Sequence, residues 1–133
     1  AVGQHTIGVG HEHPQQVVLG RRQLHHAFGH ADPAEWATAE TYRELQRAPD
    51  YRRDLDLYVV APDGAFAACC IVWHDPVNRV GTFEPVGTHP AHRRLGLGRA
   101  VIMEGINRLG ARGATRAWVG SGQEFYGAIG FSK

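Results

Sequence analysis

Apolar residues alternate in short runs through the middle of this chain and recur at helical spacing on either side, and that change of period sets the predicted elements. Leu55 to Ala61 is β-rich, Pro62-Asp63-Gly64 is a turn signal, and Ala65 to Trp73 reads as a second strand. His74-Asp75-Pro76-Val77-Asn78 turns the chain again into a third strand, Arg79 to Thr88. Three strands joined by tight turns make an antiparallel meander. A helix follows from about Gly96 to Leu109, with Leu97, Val101, Ile102, Ile106 and Leu109 as its buried stripe, and Gly110 and Gly113 mark its end. Thr115 to Gly120 is a further strand, Gln123 to Ile129 a short helix, and Gly130-Phe131 opens a segment that the sequence cuts off.

The pattern is weaker toward the start. Residues 1–16 carry Gly, His and Pro without a clear period and are expected to be an irregular lead-in, with the domain proper running from 17 to 133. Gln16-Val17-Val18-Leu19 fits a short first strand, and Arg22 to His30 a short helix. Asp32-Pro33-Ala34-Glu35 has the form of a helix start, with Thr38 as a competing cap. Trp36, Tyr42 and Leu45 then belong to a helix that stops near Ala48-Pro49. The expected class is α+β: a mixed, mostly antiparallel sheet flanked by helices.

Composition narrows the roles. At 133 residues there is room for one core, and 43% apolar with 20% charged residues is ordinary for a globular domain. Fourteen Lys and Arg against thirteen Asp and Glu give a net charge of +1, which disfavours a domain built to grip nucleic acid. No apolar run is long enough to span a bilayer and no signal-peptide pattern is present, so no membrane partner is expected. Cys69 and Cys70 are strand neighbours that point to opposite faces, and they read as reduced packing residues of a cytoplasmic protein. The first residue is Ala1 rather than Met, as in a processed or trimmed product.

Chemistry enters with His89-Pro90-Ala91-His92-Arg93-Arg94-Leu95-Gly96-Leu97-Gly98-Arg99-Ala100, a basic, glycine-punctuated turn between a strand and a helix. Unpaired amides at such a helix start, together with the positive end of its dipole, suit a phosphate-bearing ligand. Gly96 and Gly98 leave no side chain between those donors and the ligand. The combination points to a nucleotide-like cofactor.

Arg93-Arg94-Leu95-Gly96-Leu97-Gly98 resembles the R/Q-x-x-G-x-G/A signature of the GNAT superfamily of N-acetyltransferases, in its place between the fourth strand and third helix of that fold. Phe125-Tyr126 followed by Gly130-Phe131 is similar to the family's closing F/L-Y-x-x-x-G-F segment. The resemblance runs from roughly Leu24 to Phe131 and is strongest from Phe83 onward. Phe83-Glu84-Pro85-Val86-Gly87-Thr88-His89-Pro90 looks like a subset of such proteins common in actinobacteria.

The resemblance implies an acetyl-CoA-dependent enzyme that acetylates a primary amine of a small-molecule acceptor, as a monomer or homodimer and without a metal. It places the coenzyme diphosphate on Arg93, Arg94, Leu95, Gly96, Leu97, Gly98 and Arg99, and its thioester arm along the strand at Val86, Gly87 and Thr88. Pro85 lacks an N–H and fits a bulge or opening in that strand, or an edge position. The resemblance also implies Tyr126 as general acid toward the leaving thiolate, Glu84 as base toward the amine, and the Val86 N–H as the group that polarises the acetyl carbonyl. Against these stand plainer readings, Tyr126 as a core aromatic and Glu84 as an exposed strand residue. Many relatives carry an Asn at the start of the last helix; here Ser121-Gly122-Gln123-Glu124 stands there, and Gln123 or Ser121 takes its place. The family's closing strand is not reached before Lys133.

Competing chemistry is thinner. His11-Glu12-His13 and His25-His26 with His30 are the best metal-like clusters, but without H-E-x-x-H or C-x-x-C they read as solvated histidines. His89 and His92 are read as shaping the loop. Gly96-Leu97-Gly98 lacks the third glycine and βαβ setting of a dinucleotide fold, and no Gly-Lys-Ser/Thr is present for a Walker loop. The rival from another class is a non-catalytic module, half of a tandem protein, that binds acyl-CoA or another protein.

Overall fold

A computed structural model describes residues 4–9 and 39–132. Its centre is a five-stranded sheet in the order β1-β2-β3-β4-β5, formed by Thr6–Val9, Asp56–Val60, Phe66–Asp75, Val80–Thr88 and Arg116–Trp118. β1 to β4 are antiparallel neighbours, whereas β5 runs parallel to β4. Among the described residues three α-helices accompany the sheet: α1 (Ala39–Gln46), α2 (Leu97–Ala111) and the short α3 (Glu124–Ala128). This is the α+β arrangement that the sequence pattern implies. Among the described residues no helix is long and apolar enough to cross a membrane.

β3 explains the layering. Phe66 to Val72 are buried without interruption, so the strand is covered on both faces. Cys70 and Val72 join Leu57, Val59 and Phe83 in a core closed by Leu97, Val101, Ile102 and Leu109 of α2. Full burial of each such side chain contributes about 1.5–3 kcal/mol. α2 approaches closely because Gly105 lies under Phe83 and Val72; a Cβ there would come within 2.7 and 2.9 Å of them. On the opposite face Cys69 packs with Tyr42 of α1, Tyr58 and Phe66. Cys69 and Cys70 are buried, not joined in a disulfide, and lie on opposite faces, as strand geometry requires.

Several boundaries differ from expectation. Thr6–Val9, inside the stretch expected to be irregular, is a strand paired with β2 from Thr6↔Val60 to Val9↔Leu57. Val9 is buried, Ile7 packs on the core, and Gly8 admits the Tyr58 ring, which a Cβ would meet at 2.7 Å. β3 extends through His74 and Asp75, because the turn is made by Asp75 itself, whose Oδ1 accepts from the N–H groups of Val77 and Asn78 at 2.9 Å each. β5 covers three residues rather than the expected six. The expected strand at Gln16–Leu19, the helix at Arg22–His30, the caps at Asp32 and Thr38, Trp36, and the cluster residues His11, Glu12, His13, His25, His26 and His30 lie outside the described residues.

Candidate active site

The site grows from a defect in β4. Its first residues, Val80 to Thr82, pair in parallel with Arg116 to Trp118. The register with β3 then shifts: Val72 faces Phe83 but Cys70 faces Val86, so Ile71 alone stands opposite Glu84 and Pro85. That is the bulge expected of a proline without an N–H, and Glu84–Pro85 is a cis peptide. Beyond it β4 stays on β3, from Val86↔Cys70 to Thr88↔Ala68, while its pairing with β5 has ended at Thr82↔Trp118.

The gap is a cavity of about 460 Å³ lined by Val86, Gly87, Thr88, Arg93, Gly98, Gln123, Phe125 and Tyr126. Its upper wall is the turn into α2. The His89 N–H donates to Ala67 O at 2.8 Å, and His89 Nδ1 accepts from the Ala91 N–H at 3.2 Å at the head of a 3₁₀ turn, Pro90–His92. Arg94 (φ 62°) and Gly96 (φ 75°) both take the left-handed conformation, and Gly96 caps α2 without a side-chain hydrogen bond. The first-turn amides of α2 thus lack an intrahelical acceptor and sit at the positive end of its dipole. Gly98 keeps the wall thin: a Cβ there would lie 3.2 Å from both Phe125 Cζ and Thr88 Oγ1. A chain of phosphates needs that kind of cradle, bare amides beside an arginine, and the residues present fit a coenzyme diphosphate.

The lower wall is α3. Gly130 (φ 111°) reverses the chain after α3: the Phe131 N–H donates to Tyr126 O at 3.0 Å and the Gly130 N–H to Gly127 O at 3.1 Å. This is a Schellman closure. It returns Phe131 against Tyr126 and Phe83, with ring centroids 6.0 and 6.2 Å apart. The glycine and phenylalanine of the closing signature therefore hold Tyr126 in place. Burial, with a smaller contribution from the Cys70 thiol, pushes the Tyr126 phenol above its ordinary value, so it is protonated and able to donate at neutral pH.

The structure brings Val86, Gly87, Thr88, Arg93, Gly98, Gln123 and Tyr126 to one cavity. Arg94, Leu95, Gly96 and Arg99 are exposed on the loop and first turn, and Leu97 is buried in the core; none of these five is among the residues lining that cavity. Glu84 is exposed at the bulge and is not a wall of it. Phe125 was not singled out by sequence reasoning, although it precedes Tyr126 in the same signature; its ring stands edge-on to Tyr126 at 5.1 Å. His92 packs edge-on against both His5 and His89, with centroids 5.9 and 5.7 Å apart. Among the described residues no three His, Cys, Asp or Glu are placed to hold a metal ion.

Residues 21–132 match the model of the family described as Acetyltransferase (GNAT) family. A comparison with curated proteins finds no match. Among solved structures, the chain is similar to an aminoglycoside acetyltransferase from an uncultured soil metagenomic sample (TM-score 0.78, 14% identity, 98% of this chain and 93% of that one). It is similar also to a GNAT family acetyltransferase from Brucella melitensis in complex with acetyl-CoA (TM-score 0.73, 20% identity, 98% and 84%). A third is the ribosomal-protein-S18-alanine N-acetyltransferase from Escherichia coli (TM-score 0.70, 20% identity, 98% and 79%). At these identities the likeness speaks for the fold.

Proposed function

This chain belongs to the acetyltransferase (GNAT) family, and we propose that it transfers the acetyl group of acetyl-CoA to a primary amine of a small-molecule acceptor. The observation that carries the reading is the cavity where β4 leaves β5, with the α2 amides and Arg93 at one wall and the Tyr126 phenol at the other. Acetyl-CoA would supply an activated acetyl thioester. Arg93 and the α2 first-turn amides bind its diphosphate, with Arg94, Leu95, Gly96, Leu97 and Arg99 shaping the turn, and Val86, Gly87 and Thr88 offer strand backbone to its arm. The Val86 N–H polarises the acetyl carbonyl, and Gln123 contacts the arm from α3.

Tyr126 gives its proton to the departing thiolate; its raised phenol pKa keeps that proton in place until the sulfur develops charge. Glu84, exposed at the bulge, takes the amine proton through water.

Thiol release from acetyl-CoA against a panel of amines tests the reading. Wild type turns over, and Tyr126→Phe loses about 100-fold in kcat with coenzyme affinity retained. A second reading, a module that binds acyl-CoA without turnover, draws on the position of Glu84 outside the cavity walls. Equal binding and no thiol release in both proteins would decide for it.

A further inference from the structure

The bulge that opens β4 takes Glu84 and Pro85 out of step with β3, and carbonyls displaced from a ladder need another donor. The Glu84 carbonyl has one: the indole Nε1–H of Trp73 donates to it at 2.8 Å. Trp73 stands opposite Thr82, the last residue of β4 that pairs with β5, so its side chain spans the point where the strand opens. The indole is itself held. Tyr51 meets it edge-on, with centroids 6.5 Å apart. The Tyr51 hydroxyl donates to Asp56 Oδ2 at 2.6 Å, and the Tyr42 hydroxyl of α1 donates to the same oxygen. Asp56 is fully buried on β2, and Gln46 Nε2 reaches the Tyr51 oxygen at 3.5 Å. A continuous run of contacts therefore leads from α1 and a buried carboxyl, through Tyr51 and Trp73, to the backbone at the bulge. Burial and the Asp56 carboxylate push the Tyr51 phenol up to about 12, so the Tyr51 hydroxyl keeps its proton across the neutral range.

We propose that Trp73 is a positioning residue for acetyl transfer: its indole N–H pins the Glu84 carbonyl and so fixes the bulge that turns Val86–Thr88 into the cavity. Only the N–H of tryptophan makes this bond; a phenylalanine would keep much of the ring contact with Tyr51 and lose the pin. The consequence for coenzyme binding rests on the reading of the cavity given above, whereas the pinning of the strand does not.

The test removes the N–H in two ways, by Trp73→Phe and by replacing Trp73 with β-(3-benzothienyl)alanine, a ring of nearly the same size with sulfur in place of N–H. Amide hydrogen exchange at Val86, Gly87 and Thr88, the acetyl-CoA dissociation constant and the thermal midpoint are measured on the full chain. Loss of the indole bond predicts about tenfold faster exchange at these amides and about tenfold weaker acetyl-CoA binding. The benzothienyl protein does this with a midpoint lowered by only about a few degrees, and raises KM for acetyl-CoA more than it lowers kcat. The benzothienyl result decides if Trp73→Phe folds poorly. Wild-type exchange in that protein would overturn the pinning, and faster exchange with wild-type affinity would overturn the positioning role. Failure of the wild type itself to bind acetyl-CoA would remove the coenzyme reading alone, leaving exchange to judge the pin.

Discussion

The two halves of β4 share a strand and a partner yet do opposite things. Val80–Thr82 is walled in by β5 on one side and α2 above: a Cβ on Gly81 would collide with the Leu109 side chain. Val86–Thr88, three residues past a bulge and a proline, has lost β5 and faces a cavity. A glycine marks each half. Gly81 lets a core leucine reach the sheet; Gly98 lets Thr88 and Phe125 come close at the cavity wall. One extra residue in the ladder thus divides a strand into a half packed between two neighbours and a half that lines a cavity.

The sharpest way to break this comparison is to fill both glycines. Gly81→Val forces a branched side chain into the Leu109 contact and is expected to cost about 3 kcal/mol of stability in urea denaturation. Gly98→Val has neighbours at 3.2 Å that are side-chain atoms at the cavity edge, so the fold persists. It should lower acetyl-CoA affinity by about 100-fold, roughly 2.7 kcal/mol, in calorimetry. A Gly98→Val protein that binds normally, or a Gly81→Val protein as stable as wild type, would erase the distinction between the halves.

The smallest effect serves as a control away from both halves. Asp54 receives Arg112 at 2.5 and 3.1 Å, and its carbonyl receives Arg108 at 2.8 Å, which ties the turn before β2 to the end of α2. Burial pushes the Asp54 carboxyl up, but the Arg112 hydrogen bonds and charge outweigh it and hold the group below its ordinary value. Its pKa is lowered by folding, so the charged form stabilises the fold above the unfolded value, and that contribution is lost as pH falls through the folded one. With the carboxylate about half exposed, Asp54→Asn should cost only a few tenths of a kcal/mol at neutral pH. The gap to wild type should close below about pH 4, with acetyl-CoA binding unchanged. A pH-independent gap would mean that the charge plays no part.

Much of the fold is legible in the residues because local signals agree. Asp75 and Pro62-Asp63-Gly64 set the turns of the meander, and the apolar stripe of α2 reads directly from its period. β1 is hidden because Ile7 and Val9 are separated by a glycine whose purpose, admitting Tyr58, depends on a strand some fifty residues away. β5 falls short of the expected Thr115–Gly120 because its length is set by its partner: pairing stops where Pro85 and the bulge lead β4 away. At the site, Tyr126, Arg93 and Gly98 are legible from their two signatures. The placing of Glu84 is not legible: it stands exposed at the bulge and outside the cavity lining, where alternation along a strand no longer tells which way a side chain faces. Phe125 is legible as a member of the closing signature but its place against Gly98 is not, and Trp73 matters through the Glu84 carbonyl across space, which no spacing along the chain announces.

Amide chemical-shift mapping during titration of the wild-type chain with acetyl-CoA tests the central claim most directly. Saturable shifts concentrated at Val86–Thr88 and Leu97–Arg99, with Val80–Thr82 nearly unmoved, are the predicted result. Shifts centred on Val80–Thr82, or none at any concentration, would contradict it.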